Sequence, residues 1–188
     1  MIVNHMEDEE TKAVMQAVLA RRDIKLADAA VRYTKCIPAQ ILSVPDHLSG
    51  QQFMREILNR YAKYTDVEDD IKILWQTALA CGAEKLVSRL LKETKDYQYL
   101  PEIAGGREEM FALLLHIRPG GILDEVKAEV LCGALRSGDW KGRFSILTEK
   151  GWKKSSVNRR EEIRVADRFA GKLEQKNIPP TETAVWRR

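Results

Sequence analysis

The sequence predicts an all-α protein built from helix-turn-helix hairpins that stack on one another. Apolar residues recur at helical spacing through most of the chain, as in Ile71, Leu74, Trp75 and Ala78. Glycine or polar breaks separate these segments, and the alternation of apolar and polar residues that marks a β-strand is almost absent. With 188 residues, of which 44% are hydrophobic, the chain is long enough to bury a core.

The composition along the chain predicts four segments. Residues 1–10 form a flexible N-terminus, and residues 11–151 form the stack of hairpins. Residues 152–178 form a long basic C-terminal helix packed on or beside the stack. Residues 179–188 form a loose tail, since Pro179 and Pro180 cannot continue a helix.

The first half of the chain predicts three helices. Asp23 is a good N-cap between the first two, and carboxylates before Thr11 favour the positive end of a helix dipole. Pro38 and Pro45 bias the residues before them away from helix, so we expect a loop there. The predicted helices cover residues 11–21, 24–35 and 51–64.

The second half predicts shorter helices separated by clear breaks. Gly82 suits the left-handed position at a helix C-terminus, and the run Arg118 to Gly121 is a turn. A last helix, Val157–Lys176, begins at Ser155 or Ser156. The helices before it are predicted at residues 66–81, 83–93, 102–104, 107–117, 125–135 and 140–150.

The breaks recur at intervals of 24 to 32 residues, with similar apolar positions after each. A unit of two helices cannot bury its own apolar faces, so neighbouring units must stack. The breaks stand at Arg22, Gly50, Gly82, Gly106 and Gly138.

Residues 78–91, with their Ala-Cys-Gly-Ala turn, resemble the inner helix, glycine turn and outer helix of an ankyrin repeat. Residues 134–151 are similar, although no unit opens with Thr-Pro-Leu-His and the Asp-Gly hairpin tips are missing. The resemblance covers residues 66–151 better than residues 11–64. It implies a protein-binding scaffold with a concave surface and no cofactor. Another helical-hairpin array and an irregular helical bundle remain open as alternatives.

The chain carries no recognisable catalytic or metal-binding pattern, so we expect no catalytic residues, no metal and no cofactor. Its three histidines have no metal-ligand spacing to one another or to a cysteine. An odd number of cysteines without a Cys-x-x-Cys pair indicates buried thiols in a reducing compartment. The alternative is an enzyme with a dispersed site around Cys81, Cys132 or His116.

The strongest candidates for a specific contact lie towards the C-terminus. Residues 150–176 hold nine Lys and Arg against four acidic residues, and such a flank can follow the phosphates of a nucleic acid. An exposed Trp140 beside Lys141 and Arg143 would anchor an interface. The predicted partner-binding residues are Trp140, Lys141, Arg143, Trp152, Lys153, Lys154, Arg160, Arg164 and Arg168.

These observations favour a non-catalytic protein-interaction module whose partner is another protein. A nucleic-acid-associated protein that uses residues 150–176 is the alternative. No apolar run approaches the length that spans a membrane, so we expect a cytoplasmic protein without a membrane partner. Export to a host cell by an unrecognised signal stays open.

Overall fold

A computed structural model describes residues 2–65 and 70–153, with side chains from residue 9 onwards. Within these ranges the chain forms nine α-helices and no strand, which confirms the all-α class. None of these helices is both long enough and apolar enough to cross a bilayer. The helices are α1 (Ile2–Arg21), α2 (Ile24–Thr34), α3 (Leu48–Arg60), α4 (Ile71–Cys81), α5 (Glu84–Thr94), α6 (Leu100–Gly105), α7 (Glu108–Leu114), α8 (Asp124–Ala134) and α9 (Trp140–Glu149).

The chain divides into two compact units, of which the first holds residues 1–99 and 107–113. In this unit α1 packs on α2 and α4 packs on α5, so each pair forms a hairpin. Between them, α3 contacts α2, α4 and α5, while a short 3-10 turn at Ala39–Ile41 contacts α1 and α4. The predicted loop around Pro38 and Pro45 therefore contains only one turn of helix, because each proline lacks the N–H that a longer helix needs.

The starts of α1, α3 and α4 differ from the prediction, and α4 begins at Ile71 after Asp70 rather than at Asp66. Helix α1 begins at Ile2 rather than at Thr11, so residues 2–10 are helical, and the flexibility expected of residues 1–10 stays a prediction. Helix α3 begins at Leu48 after His47. Gly50, predicted as a break, therefore lies inside α3, and a Cβ added there would lie 2.7 Å from the Cβ of Pro45.

The two hairpin turns of the first unit follow the predicted capping. The Asp23 carboxylate accepts hydrogen bonds from the backbone N–H groups of Lys25 and Leu26, at 2.8 and 3.2 Å. Gly82 ends α4 in the left-handed conformation, with φ of 72°. Arg22, at the end of α1, is also left-handed, with φ of 53°.

The second unit holds residues 100–106 and 114–188, of which the structure describes those up to 153. Helices α6 and α8 pack closely, and α9 packs on α8. A Cβ added at Gly133 of α8 would lie 2.1 Å from the carbonyl oxygen of Pro101. Only glycine permits this approach of two backbones. The predicted helix Val157–Lys176 and the tail after it lie outside the described residues.

Candidate partner-binding surfaces

Trp140 and Lys141 open α9 at the surface of the second unit. Trp140 is half-buried and packs against the buried pair Leu135 and Phe144, together with Leu131. The Lys141 ammonium lies 5.4 Å from the centroid of the Trp140 ring, within the range of a cation–π contact. The indole thus combines packing onto α8 with a partly open face, and the Trp140 anchor stays a prediction.

Arg143 binds the end of α6 instead of projecting into solvent. Its guanidinium donates to the carbonyl oxygens of Ala104 and Gly106, at 2.9 and 2.6 Å. The last carbonyls of a helix lack intrahelical partners and carry the negative end of its dipole, so a cation there stabilises them. We therefore assign Arg143 a structural role beside the predicted contact with a partner.

Trp152 was predicted to contact a partner, but its side chain is fully buried. Gly151, with φ of 91°, turns the chain after α9, and the Trp152 backbone N–H then donates to the carbonyl of Leu147 at 3.0 Å. This turn carries the indole into the core, so Trp152 is a core residue and the prediction is wrong. Lys153 is exposed. Four further predicted residues, Lys154, Arg160, Arg164 and Arg168, lie outside the described residues.

The residues considered for a dispersed nucleophilic site differ in their exposure to solvent. Burial raises the pKa of the Cys81 thiol to about 11, which leaves very little thiolate at neutral pH. Cys132 is exposed, which corrects the expectation that it is a core residue, and His116 is exposed as well. No group of His, Cys, Asp and Glu side chains within the described ranges has the arrangement of a metal site.

A groove of about 770 Å³ runs along α3 in the first unit. Its charged walls balance, with three basic and three acidic side chains. Several of these already have partners: Arg60 pairs with Glu56 at 2.7 Å and with Asp28 outside the groove at 3.2 Å, and Glu84 accepts a hydrogen bond from the Asn59 amide at 2.6 Å. The charged lining consists of Arg55, Glu56, Arg60, Glu84, Lys85 and Glu109. This balance gives the groove no preference for an anionic or a cationic ligand.

The two hairpins of the first unit share several features at a spacing of 60 residues. Arg22 and Gly82 hold the same left-handed position, and Lys35 and Lys95 end α2 and α5 in the same conformation, with φ of 58° and 53°. Thr34 and Thr94 each donate their hydroxyl to the carbonyl four residues earlier. Eight of the 26 residues in 11–36 are identical to their counterparts in 71–96: Lys12/Lys72, Gln16/Gln76, Leu19/Leu79, Ala20/Ala80, Lys25/Lys85, Leu26/Leu86, Thr34/Thr94 and Lys35/Lys95.

This spacing identifies a surface that was not predicted from the sequence. On α4 the residues Lys72, Gln76 and Ala80 form an exposed stripe, since they stand four residues apart. The counterparts of all three on α1 are the same residue types, and Gln16 and Ala20 are exposed there. We call the six positions the inner stripe: Lys12, Gln16, Ala20, Lys72, Gln76 and Ala80.

Exposed positions place few demands on residue type, so identity at two of them in both hairpins is unexpected from folding alone. These are the Gln16/Gln76 and Ala20/Ala80 positions, whereas Lys12 is half-buried. A comparison of the sequence with itself at a shift of 60 residues would have revealed this surface. The exposed Gln40 lies in the 3-10 turn that contacts both α1 and α4.

No family model, curated protein or solved structure matches this chain.

Proposed function

We propose that the protein is a non-catalytic interaction module that binds another protein through a stack of helical hairpins. The observation that carries this proposal is the 60-residue repeat of the hairpins α1–α2 and α4–α5, with the same turn conformations and the same end of the outer helix. An interval of 60 residues fits two units of about 30 residues each, close to the length of an ankyrin-like unit.

The contacts within the first unit support the stacking order. One row consists of α1, the 3-10 turn Ala39–Ile41 and α4, and a second row consists of α2, α3 and α5. In each row, every element contacts the next. The repeat between the two hairpins would consist of the 3-10 turn Ala39–Ile41 and α3. Its inner element would be a single helical turn, because Pro38 and Pro45 shorten it.

Hydrogen bonds between successive repeats within the first unit also support this order. The backbone N–H of Ile37 donates to the carbonyl of Tyr64 at 2.9 Å, where the ends of two units meet. The Arg89 guanidinium of α5 donates to the carbonyls of Ala62 and Thr65 in the repeat before it. Such charge-assisted bonds fix the register between neighbours.

The inner stripe is the surface through which we propose that the partner binds. It offers the Gln16 and Gln76 amides and the Lys72 ammonium, while the Lys12 ammonium already donates to the Glu9 carboxylate at 3.2 Å. These groups suit an extended segment with backbone carbonyls and acidic side chains. Stacks of hairpins present such extended surfaces without a deep pocket. Trp140 and Lys141 in the second unit are a further candidate contact.

Affinity capture with a matched pair of variants tests the proposal. Native extract is passed over immobilised wild type, Lys72→Glu and Lys92→Glu, and bound proteins are quantified by mass spectrometry. Lys92 is exposed on the outer helix α5, so its reversal changes the charge equally but leaves the inner stripe intact. We expect a protein that wild type and the Lys92→Glu variant retain and that the Lys72→Glu variant loses. Equal capture by all three would contradict binding at the inner stripe.

A further inference from the structure

The 60-residue repeat reveals a face of the first hairpin that is buried in the second. In the α4–α5 hairpin, Leu74, Thr77 and Leu86 are 0%, 1% and 0% exposed. Their counterparts in the α1–α2 hairpin are Val14, Ala17 and Leu26. All three are exposed, with values of 44% for Val14 and 36% for Leu26.

The direction of this face follows from Arg89. On α5 the Arg89 side chain donates to the carbonyls of Ala62 and Thr65. The buried face of that hairpin is therefore turned towards the preceding repeat. The counterpart of Arg89 is Ala29, which is exposed on α2. One helical turn further along, Tyr33 is 87% exposed.

We call this surface the end face, since it lies at the first hairpin of the described chain. Its members have the composition of a packing surface and not of a solvated one. The end face consists of Val14, Ala17 and Arg21 on α1 and of Leu26, Ala29 and Tyr33 on α2.

The charges on α1 indicate what covers the end face. Glu10, Val14, Ala17 and Arg21 follow one another at intervals of four, three and four residues, which places them on one side of the helix. All four are exposed, with an acid at one end of the row, a base at the other and apolar side chains between them.

This row is complementary to itself when two helices run antiparallel. A twofold axis that passes between residues 15 and 16 places Glu10 opposite Arg21 of the second copy, and Val14 opposite Ala17 of the second copy. The small Ala17 side chain lets the two helices approach closely, and the twofold axis makes two such ion pairs.

We propose that the protein forms a symmetric dimer through the end face, with α1 antiparallel to α1 of a second copy. Binding of the proposed partner does not depend on the dimer, because a monomer would retain the inner stripe. The two ideas can therefore fail separately: capture at Lys72 tests one, and the oligomeric state tests the other.

Charge reversal provides a test in which the expected result is specific to this geometry. The Glu10→Arg variant carries two bases in the row, and the Arg21→Glu variant carries two acids. We expect each variant alone to dimerise about tenfold more weakly than wild type or worse, because two attractive contacts become two repulsive ones. An equimolar mixture should form a dimer of one copy each, and the double variant Glu10→Arg/Arg21→Glu should dimerise with itself.

Sedimentation equilibrium of the full chain measures these masses against the 21.5 kDa monomer, and native mass spectrometry identifies the mixed dimer. Val14→Glu should weaken the dimer, and mixing it with the Glu10→Arg or the Arg21→Glu variant should not restore dimerisation. Lys92→Glu on α5 should leave the dimer unchanged. Unaltered helical circular dichroism shows that each variant is folded. A wild type that is monomeric at about 100 μM, an Arg21→Glu variant that dimerises like wild type, or a mixture without a mixed dimer would each overturn the proposal.

Discussion

The paired turns at Arg22 and Gly82 allow a test of the repeat through two substitutions of opposite sign. Both residues hold the left-handed conformation, with φ of 53° and 72°. A residue with a side chain is less stable there by about 1–2 kcal/mol, whereas glycine adopts it freely but loses about 0.5–1 kcal/mol in entropy on folding. We therefore expect Arg22→Gly to raise the free energy of unfolding by about 0.5–1 kcal/mol.

The reverse substitution, Gly82→Ala, should lower the free energy of unfolding by about 1 kcal/mol. The new Cβ would also lie 2.8 Å from Cδ of Arg107, but that flexible side chain can move away. In a chain of this size a change of about 1 kcal/mol shifts Tm by roughly 2–4 °C, so both effects are measurable.

Urea unfolding followed by circular dichroism is the assay, with Gly138→Ala as the control. Gly138 has no atom within 4 Å of an added Cβ and no positive φ, so its substitution should be neutral or slightly stabilising. A destabilised Arg22→Gly variant, or a Gly82→Ala variant as stable as wild type, would refute the equivalence of the two turns.

Three further substitutions probe the packing. Arg143→Ala should lower the free energy of unfolding by about 2–3 kcal/mol in denaturant titrations, because it removes hydrogen bonds from a charged donor to the Ala104 and Gly106 carbonyls. A loss below about 0.5 kcal/mol would refute the structural role of Arg143. Gly133→Ala should cost about 1–3 kcal/mol or more through collision with Pro101, and wild-type Tm in this variant would show that α6 and α8 are further apart. Because the pKa of Cys81 is about 11 in the folded protein against 9.0 ordinarily, stability should fall as pH rises from 9 to 11, and Cys81→Ala should remove most of this dependence. A thiol reagent at neutral pH should label Cys132 readily and Cys81 only on unfolding, and equal rates would contradict the burial of Cys81.

Local signals in the sequence predicted the all-α class and the hairpin turns at Asp23 and Gly82, although Gly50, predicted as a break, lies inside α3. The Asp23 cap and the left-handed Gly82 depend on neighbouring residues only, and both are found as expected. The shortened element at Ala39–Ile41 follows from the two prolines for the same reason.

Contacts between distant residues were beyond such reasoning. The sequence around Arg143 and Arg89 does not reveal the carbonyls that they bind, since these lie 37 and 24 residues away or more. Trp152 follows a glycine turn that carries it inward, and Cys132 points outward from α8 although its neighbours are apolar. Side-chain direction at these positions depends on which helices pack together.

The binding claim is tested most directly by the affinity of the captured partner for variants of the inner stripe. Gln16→Glu and Gln76→Glu change two exposed, equivalent positions and preserve size and helix propensity. Isothermal titration should show about threefold to tenfold weaker binding for each, the effect of losing one hydrogen bond, and a larger loss for the double variant, with Lys92→Glu unchanged. An affinity equal to that of wild type in the double variant would contradict the inner stripe as the binding surface.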